Sequence, residues 1–233
     1  MTNKIENAVK KIEFHDMLNP KLWKGYELAL SVRIQLLRTA ISFIRFLNLP
    51  GLKFKDIILT GSNASYNYTD DSDIDLHLVV DPSQTDCPDL AMGFFDTKRM
   101  LWNSEHDIKI HGIRVEIYVE SANEEPISNG IYSILKGEWI EKPSCRRPSW
   151  DDRAVKKKAE HIAFLIDELI SQGGDASQAF SLMKRISAMR RAGLGDGGMY
   201  SVENLAYKTL RSTGYLKKLY DYAVRAHDGD LSI

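Results

Sequence analysis

Residues 59–81 read LTGSNASYNYTDDSDIDLHLVVD, and the fold follows from this stretch. An apolar run, Ile57, Ile58 and Leu59, breaks at Gly61-Ser62, and ten polar-rich residues, Asn63 to Ser72, follow. Then Asp73, Asp75, His77 and Val79 alternate with Ile74, Leu76, Leu78 and Val80. Period-two alternation marks a strand with one buried face. It predicts that Asp73 and Asp75 point the same way. Parallel carboxylates repel each other unless a cation lies between them, so the pattern points to a divalent-metal site facing a Gly-Ser turn.

Working outward, the segment from Pro20 to Leu49 carries Leu30, Ile34, Leu37, Ile41 and Ile44 at steps of four and three, the spacing of an amphipathic helix. Arg33, Arg38 and Arg45 fall between them, as on a solvated face, and Pro50-Gly51 ends the helix. Strands are expected at Asp56 to Thr60 and Asp73 to Val80, and a helix from Cys87 to about Asn103. Two short strands should follow, Ile108 to Ile110 and Ile113 to Val119, turning at His111-Gly112. In the second, Arg114, Glu116, Tyr118 and Glu120 share a face. A hairpin is expected at Ile131 to Leu135 and Trp139 to Ile140, with Gly137 near its turn.

Lys142 to Pro148 (KPSCRRP) reads as a basic, proline-punctuated linker. Beyond it the spacing is helical: Asp151 to about Gln172, Ser177 to about Ala192, then a third helix capped by Ser201. Gly193 to Gly198 reads as a glycine-rich turn. The expected organisation is an N-terminal extension (1–19), an α/β domain (20–141), the linker (142–148) and an all-helical domain (149–233).

Bulk properties set the limits. The 233 residues are enough for a real core, and 43% hydrophobic with 27% charged residues is ordinary for a globular protein. A net charge of -1 excludes a global bias towards nucleic acid or membrane, so any basic surface is local. Two cysteines, Cys87 and Cys145, are too few for a disulfide framework or zinc cluster, which points to a reducing cytoplasm. The charged N-terminus lacks a signal-peptide core, and no apolar run is long enough to span a membrane.

A lone Gly-Ser is an ordinary turn, and a lone Asp-x-Asp is an exposed strand face. Their combination says more: an apolar strand, Gly61-Ser62, ten residues, then Ser-Asp-Ile-Asp-Leu opening a second strand. The stretch resembles the DNA polymerase β-like nucleotidyltransferase superfamily over roughly residues 55–120. That resemblance implies an α/β (α+β) fold, a mixed-sheet nucleotidyltransferase domain followed by an all-helical C-terminal domain. It also implies that Gly61 and Ser62 contact phosphates, that Asp73 and Asp75 hold Mg²⁺ (or Mn²⁺), and that a later carboxylate completes the set. Glu116 is the choice for that carboxylate, with Glu120 second. The implied reaction moves a nucleoside monophosphate from an NTP to a hydroxyl, a nucleotide or an RNA 3′ end being favoured. Nucleotidylation of a small molecule or protein, and a nonenzymatic nucleotide-binding regulator or antitoxin-like partner, are the alternatives. Small members often carry Arg-Gly shortly after Gly-Ser, whereas this chain has Ser65-Tyr66. Tyr66 and Tyr68 are expected to pack their loop, and Trp139 and Trp150 to pack between domains. His77 is expected to be structural. The basic run Lys142, Arg146, Arg147, Arg153, Lys156, Lys157 and Lys158, and the pair Arg190-Arg191, read as solvated charge that could serve a triphosphate or RNA backbone.

Overall fold

The computed structural model describes residues 2–49, 51–85, 87–123, 128–145 and 148–232. Pro50, Arg146 and Arg147, expected at a helix end and in the linker, lie outside the described residues. The chain begins with helix α1 (Thr2–Lys10) and a small ribbon of β1 (Trp23–Lys24) and β2 (Glu27–Leu28). Then come α2 (Leu30–Leu47), β3 (Phe54–Thr60), β4 (Ile74–Val80), α3 (Pro88–Glu105), β5 (Lys109–Ile110) and β6 (Ile113–Ser121). Two further strands, β7 (Ile131–Ser133) and β8 (Glu138–Glu141), precede helices α4 (Asp152–Ser171), α5 (Ala176–Gly197), α6 (Val202–Ser212) and α7 (Tyr215–Leu231). The architecture is a mixed-sheet α/β region followed by a helical one. No helix among the described residues is long and apolar enough to cross a membrane.

Residues 14–146 form one unit, built on a six-stranded sheet in the order β5-β6-β4-β3-β7-β8. Among the described residues only β4 and β6 pair in parallel, and α3 supplies the crossover that a parallel pair requires. The alternation of β4 and β6 is strict: Ile74, Leu76, Leu78, Val80, Val115, Ile117 and Val119 are buried, and the residues between them are half-exposed. Where β6 runs past the short β5, Asn103 of α3 takes the place of a missing strand. Its Nδ2 donates to the Ile117 carbonyl at 2.9 Å and its Oδ1 accepts from the Ile117 N–H at 3.0 Å. This satisfies an edge that would otherwise be open to another chain.

Helix α2 forms, but the stripe expected to face the core does not. Leu30, Ile34 and Ile41 are exposed, while Val32, Leu36, Thr39, Ala40, Phe43 and Leu47 are buried. The helix carries apolar residues on two faces, and the aromatic packing of Phe43 against Trp102 accompanies the face that was chosen. It ends at Asn48 in the left-handed conformation, φ 52°, a common helix stop. Arg33 is not a solvated cation. Its Nε and Nη2 donate to the carbonyls of Ile134 and Leu135, each at 2.7 Å, and so pin the β7–β8 hairpin.

Residues 1–13 and 147–233 form the second unit. Here Ile5 and Val9 of α1 are buried in one core with Val155, Ile162, Ile166 and Leu210. The helix starts are well capped. Asp151 accepts from the N–H groups of Arg153 and Ala154, Asp175 and Gln178 form a capping box, and Ser201 accepts from Asn204 N–H. The glycine-rich turn expected at Gly193 to Gly198 is a correction: α5 continues to Gly197. Gly193 is buried, and a β-carbon there would meet Ser201 Oγ and the Glu203 side chain, so the glycine serves close helix packing. The expected solvated charges are also partly committed within this unit. Lys156 pairs with Glu6 at 2.7 Å, Lys158 with Glu203, and the Arg190 guanidinium lies 4.5 Å from the Tyr207 ring centroid.

Candidate active site

The antiparallel β3–β4 pair puts Thr60 opposite Asp75, and the connection between them opens on Gly61. Gly61 has φ 75° and ψ -160°, in the region that favours glycine. A β-carbon at this position would collide with Asp75 Oδ2. The carboxylate thus lies directly against the turn, and the missing side chain makes room for it. Gly61 N–H donates to Ser128 Oγ at 3.3 Å.

Ser62 begins a single 3₁₀ turn, Ser62–Ala64, rather than a helix. Its hydroxyl donates to Ser72 Oγ at 2.8 Å, and Ser72 Oγ also accepts from Thr69 N–H at 2.9 Å. Ser62 thereby ties the start of the loop to its end. Asn63, next in the chain and fully buried, does the same more extensively. Its Nδ2 donates to the Asp73 carbonyl at 2.8 Å, its Oδ1 accepts from Asn19 Nδ2 at 2.8 Å, and its carbonyl accepts from Trp23 Nε1 at 2.7 Å. Buried polar groups bonded on every side hold a loop in one conformation. Asp73 sits at the end of that loop, one residue before β4 begins.

Across the parallel ladder Asp75 pairs with Glu116, and Val79 with Glu120. Directly opposed ladder residues share a face and lie within about 5 Å, so Asp75 and Glu116 are neighbours. Glu120 stands four residues further along β6, on the order of 13 Å at the usual strand rise. It has another partner: its Oε1 lies 2.7 Å from His77 Nδ1. Glu116 Oε2 accepts from the Tyr118 hydroxyl at 2.8 Å. Burial, then the negative charges of Asp75 and Glu116, push the Tyr118 phenol well above its ordinary range, which registers the anionic field of this face.

Among the described residues no group of three or more His, Cys, Asp and Glu side chains is gathered as a metal cluster. The adjacent carboxylates of Asp75 and Glu116 nonetheless suit Mg²⁺, which takes one or two carboxylates and completes its octahedron with substrate phosphates and water.

The aromatics divide between the two units. Tyr66 is buried, its hydroxyl 2.9 Å from that of Tyr26, and Tyr68 stacks on His15 at 3.9 Å. Trp139 stacks on Trp23 at 4.7 Å and Trp150 on Tyr200 at 5.5 Å, each inside its own unit. Sequence reasoning did not single out Asn63, Ser72 or Tyr118. The position of Tyr118 on the face of Glu116 was a usable signal, while the roles of Asn63 and Ser72 depend on loop closure.

No protein-family model matches the chain, and no curated protein is significantly similar to it. Among solved structures it is similar to the STING-associated CdnE c-di-GMP synthase from Capnocytophaga granulosa. The TM-score is 0.23 and the identity 12%, over 87% of this chain and 84% of that one.

Proposed function

We propose that the chain is a metal-dependent nucleotidyltransferase, moving a nucleoside monophosphate from an NTP to a hydroxyl acceptor. The observation that carries this reading is the Asp75–Glu116 pair, in register on adjacent strands, with Asp75 set against the Gly61 turn. The resemblance of Gly61-Ser62 and Asp73-Ile74-Asp75 to nucleotidyltransferase motifs supports it. Asp73, Asp75 and Glu116 would hold Mg²⁺ or Mn²⁺, which when bound neutralises the triphosphate and favours departure of pyrophosphate. Gly61, whose missing side chain makes room for the Asp75 carboxylate, keeps that carboxylate against the turn that the resemblance assigns to phosphate contact. As the acceptor oxygen bonds to the α-phosphorus, the bond from that phosphorus to the α,β-bridging oxygen breaks. Glu116, as a carboxylate beside Asp75, takes the hydroxyl proton. A third carboxylate suits a sugar hydroxyl, so a nucleotide or an RNA 3′ end is the favoured acceptor.

The test is incubation with each α-labelled NTP and Mg²⁺, with and without total RNA. Labelled product and free pyrophosphate are expected, and Asp73→Ala and Asp75→Ala should each lower transfer by 10²-fold or more, on the order of losing a charge-stabilising contact. Circular dichroism should show both variants folded. Full activity in either would overturn the mechanism. NTP binding without pyrophosphate release would instead mark a nucleotide-binding regulator.

A further inference from the structure

Tyr118 follows Glu116 by two residues on β6, so both side chains leave the same face of the sheet. The Tyr118 hydroxyl donates to Glu116 Oε2 at 2.8 Å. Two neighbours hold its ring. His77, opposite Tyr118 in the ladder, stacks on it with centroids 4.7 Å apart and planes 20° from parallel. The Arg99 guanidinium lies 5.1 Å from the ring centroid. Arg99 has an anchor of its own, its Nε donating to Asp96 Oδ1 at 2.8 Å, while His77 Nδ1 lies 2.7 Å from Glu120 Oε1 with no hydrogen bond formed between them. The phenol is therefore a donor in a fixed place.

We propose that Tyr118 is a positioning residue for the carboxylate pair, holding Glu116 alongside Asp75 before any cation or nucleotide arrives. The proposal rests on reading that pair as a metal site. A glutamate has three side-chain torsions, the last of them broad, and Glu116 stands beside a like charge. With no donor on Oε2 it gains by turning away from Asp75, and a cation would then have to order it on binding. Partners that orient metal-ligating side chains typically change metal affinity by about 10–100-fold when removed.

The test uses the full chain and Mn²⁺ as probe, with free Mn²⁺ followed by electron paramagnetic resonance. Titrations are run with and without an α,β-methylene NTP analogue that cannot transfer its nucleotide. Tyr118→Phe keeps the ring and removes only the hydroxyl, and it should weaken Mn²⁺ binding by about 10–100-fold while the metal-free melting temperature stays near that of wild type. Tyr118→Leu removes the ring as well and should be at least as weak. Unchanged Mn²⁺ affinity in Tyr118→Phe would overturn the proposal, as would a loss confined to Tyr118→Leu, which would make the residue a packing element. In both cases wild type still binds Mn²⁺ and Asp75→Ala does not, so the metal-site reading survives. Absence of Mn²⁺ binding in wild type, even with the analogue, would overturn both.

Discussion

At Gly61 the backbone adopts φ 75°, and the space a β-carbon would fill is taken by the Asp75 carboxylate. Gly61→Ala therefore meets two obstacles, a disfavoured backbone region and a side chain that must move. It should cost about 1–3 kcal/mol of stability, the usual scale of such local strain. It should also displace Asp75 and weaken Mn²⁺ binding, with urea denaturation and Mn²⁺ titration as the two readouts. A variant as stable as wild type that binds Mn²⁺ equally well would contradict this geometry. Much at this scale was legible in advance, because Gly61 and Asp75 stand in a motif whose residue types are dictated by local chemistry. The bond from the Ser62 hydroxyl to Ser72 was not legible, because it forms only when the loop closes on itself. The role of Asn63 was illegible for the same reason: its side chain bonds Asn19 and the Asp73 carbonyl, its own carbonyl accepts from Trp23, and all three lie ten or more residues away.

Among the elements, β4 and β6 follow directly from alternation, whereas α2 and α5 do not follow from spacing alone. Helix α2 has apolar residues at helical steps on more than one face, and the one that is buried was chosen by the surface available to it. In α5 the glycines suggested a turn because glycine weakens a helix by about 1 kcal/mol relative to alanine. Packing overrides that cost at Gly193, where Ser201 and Glu203 come close, while Gly195 faces open space. The two positions should respond in opposite directions. Gly193→Val should destabilise the chain by about 1–3 kcal/mol, as an overpacked position does. Gly195→Ala should be neutral or stabilising by up to about 1 kcal/mol, from helix propensity. Equal effects in thermal or urea unfolding would show that Gly193 is not a packing glycine.

For the whole molecule, the placement of α1 has a consequence that depends on pH. Hydrogen bonds from Lys10 and then Lys156 hold the Glu6 carboxyl down at about 2, from an ordinary 4.5. A depressed folded-state value means that the contribution is fully present above the unfolded value and lost as pH falls through the folded one. Protonation of Glu6 should thus weaken the tie between α1 and α4 as pH drops from about 4.5 towards about 2. Wild type should melt above Glu6→Gln at neutral pH, with the gap closing across that window. A gap of constant size down to the acid limit would show that the ion pairs contribute nothing.

The sequence by itself determined the strand pattern around residues 73–80, the Gly-Ser turn before it, and the division into an α/β and a helical part. Alternation, glycine placement and helical spacing express backbone geometry over a few residues, so they survive without knowledge of the rest of the chain. Only the tertiary structure decided that Glu116, and not Glu120, stands beside Asp75, that Tyr118 donates to it, and that α1 joins the C-terminal helices. Glu116 and Glu120 lie on the same face of one strand, and local periodicity cannot rank them. Their ranking depends on the register between two parallel strands joined by a long helical crossover, which the packing of that crossover sets.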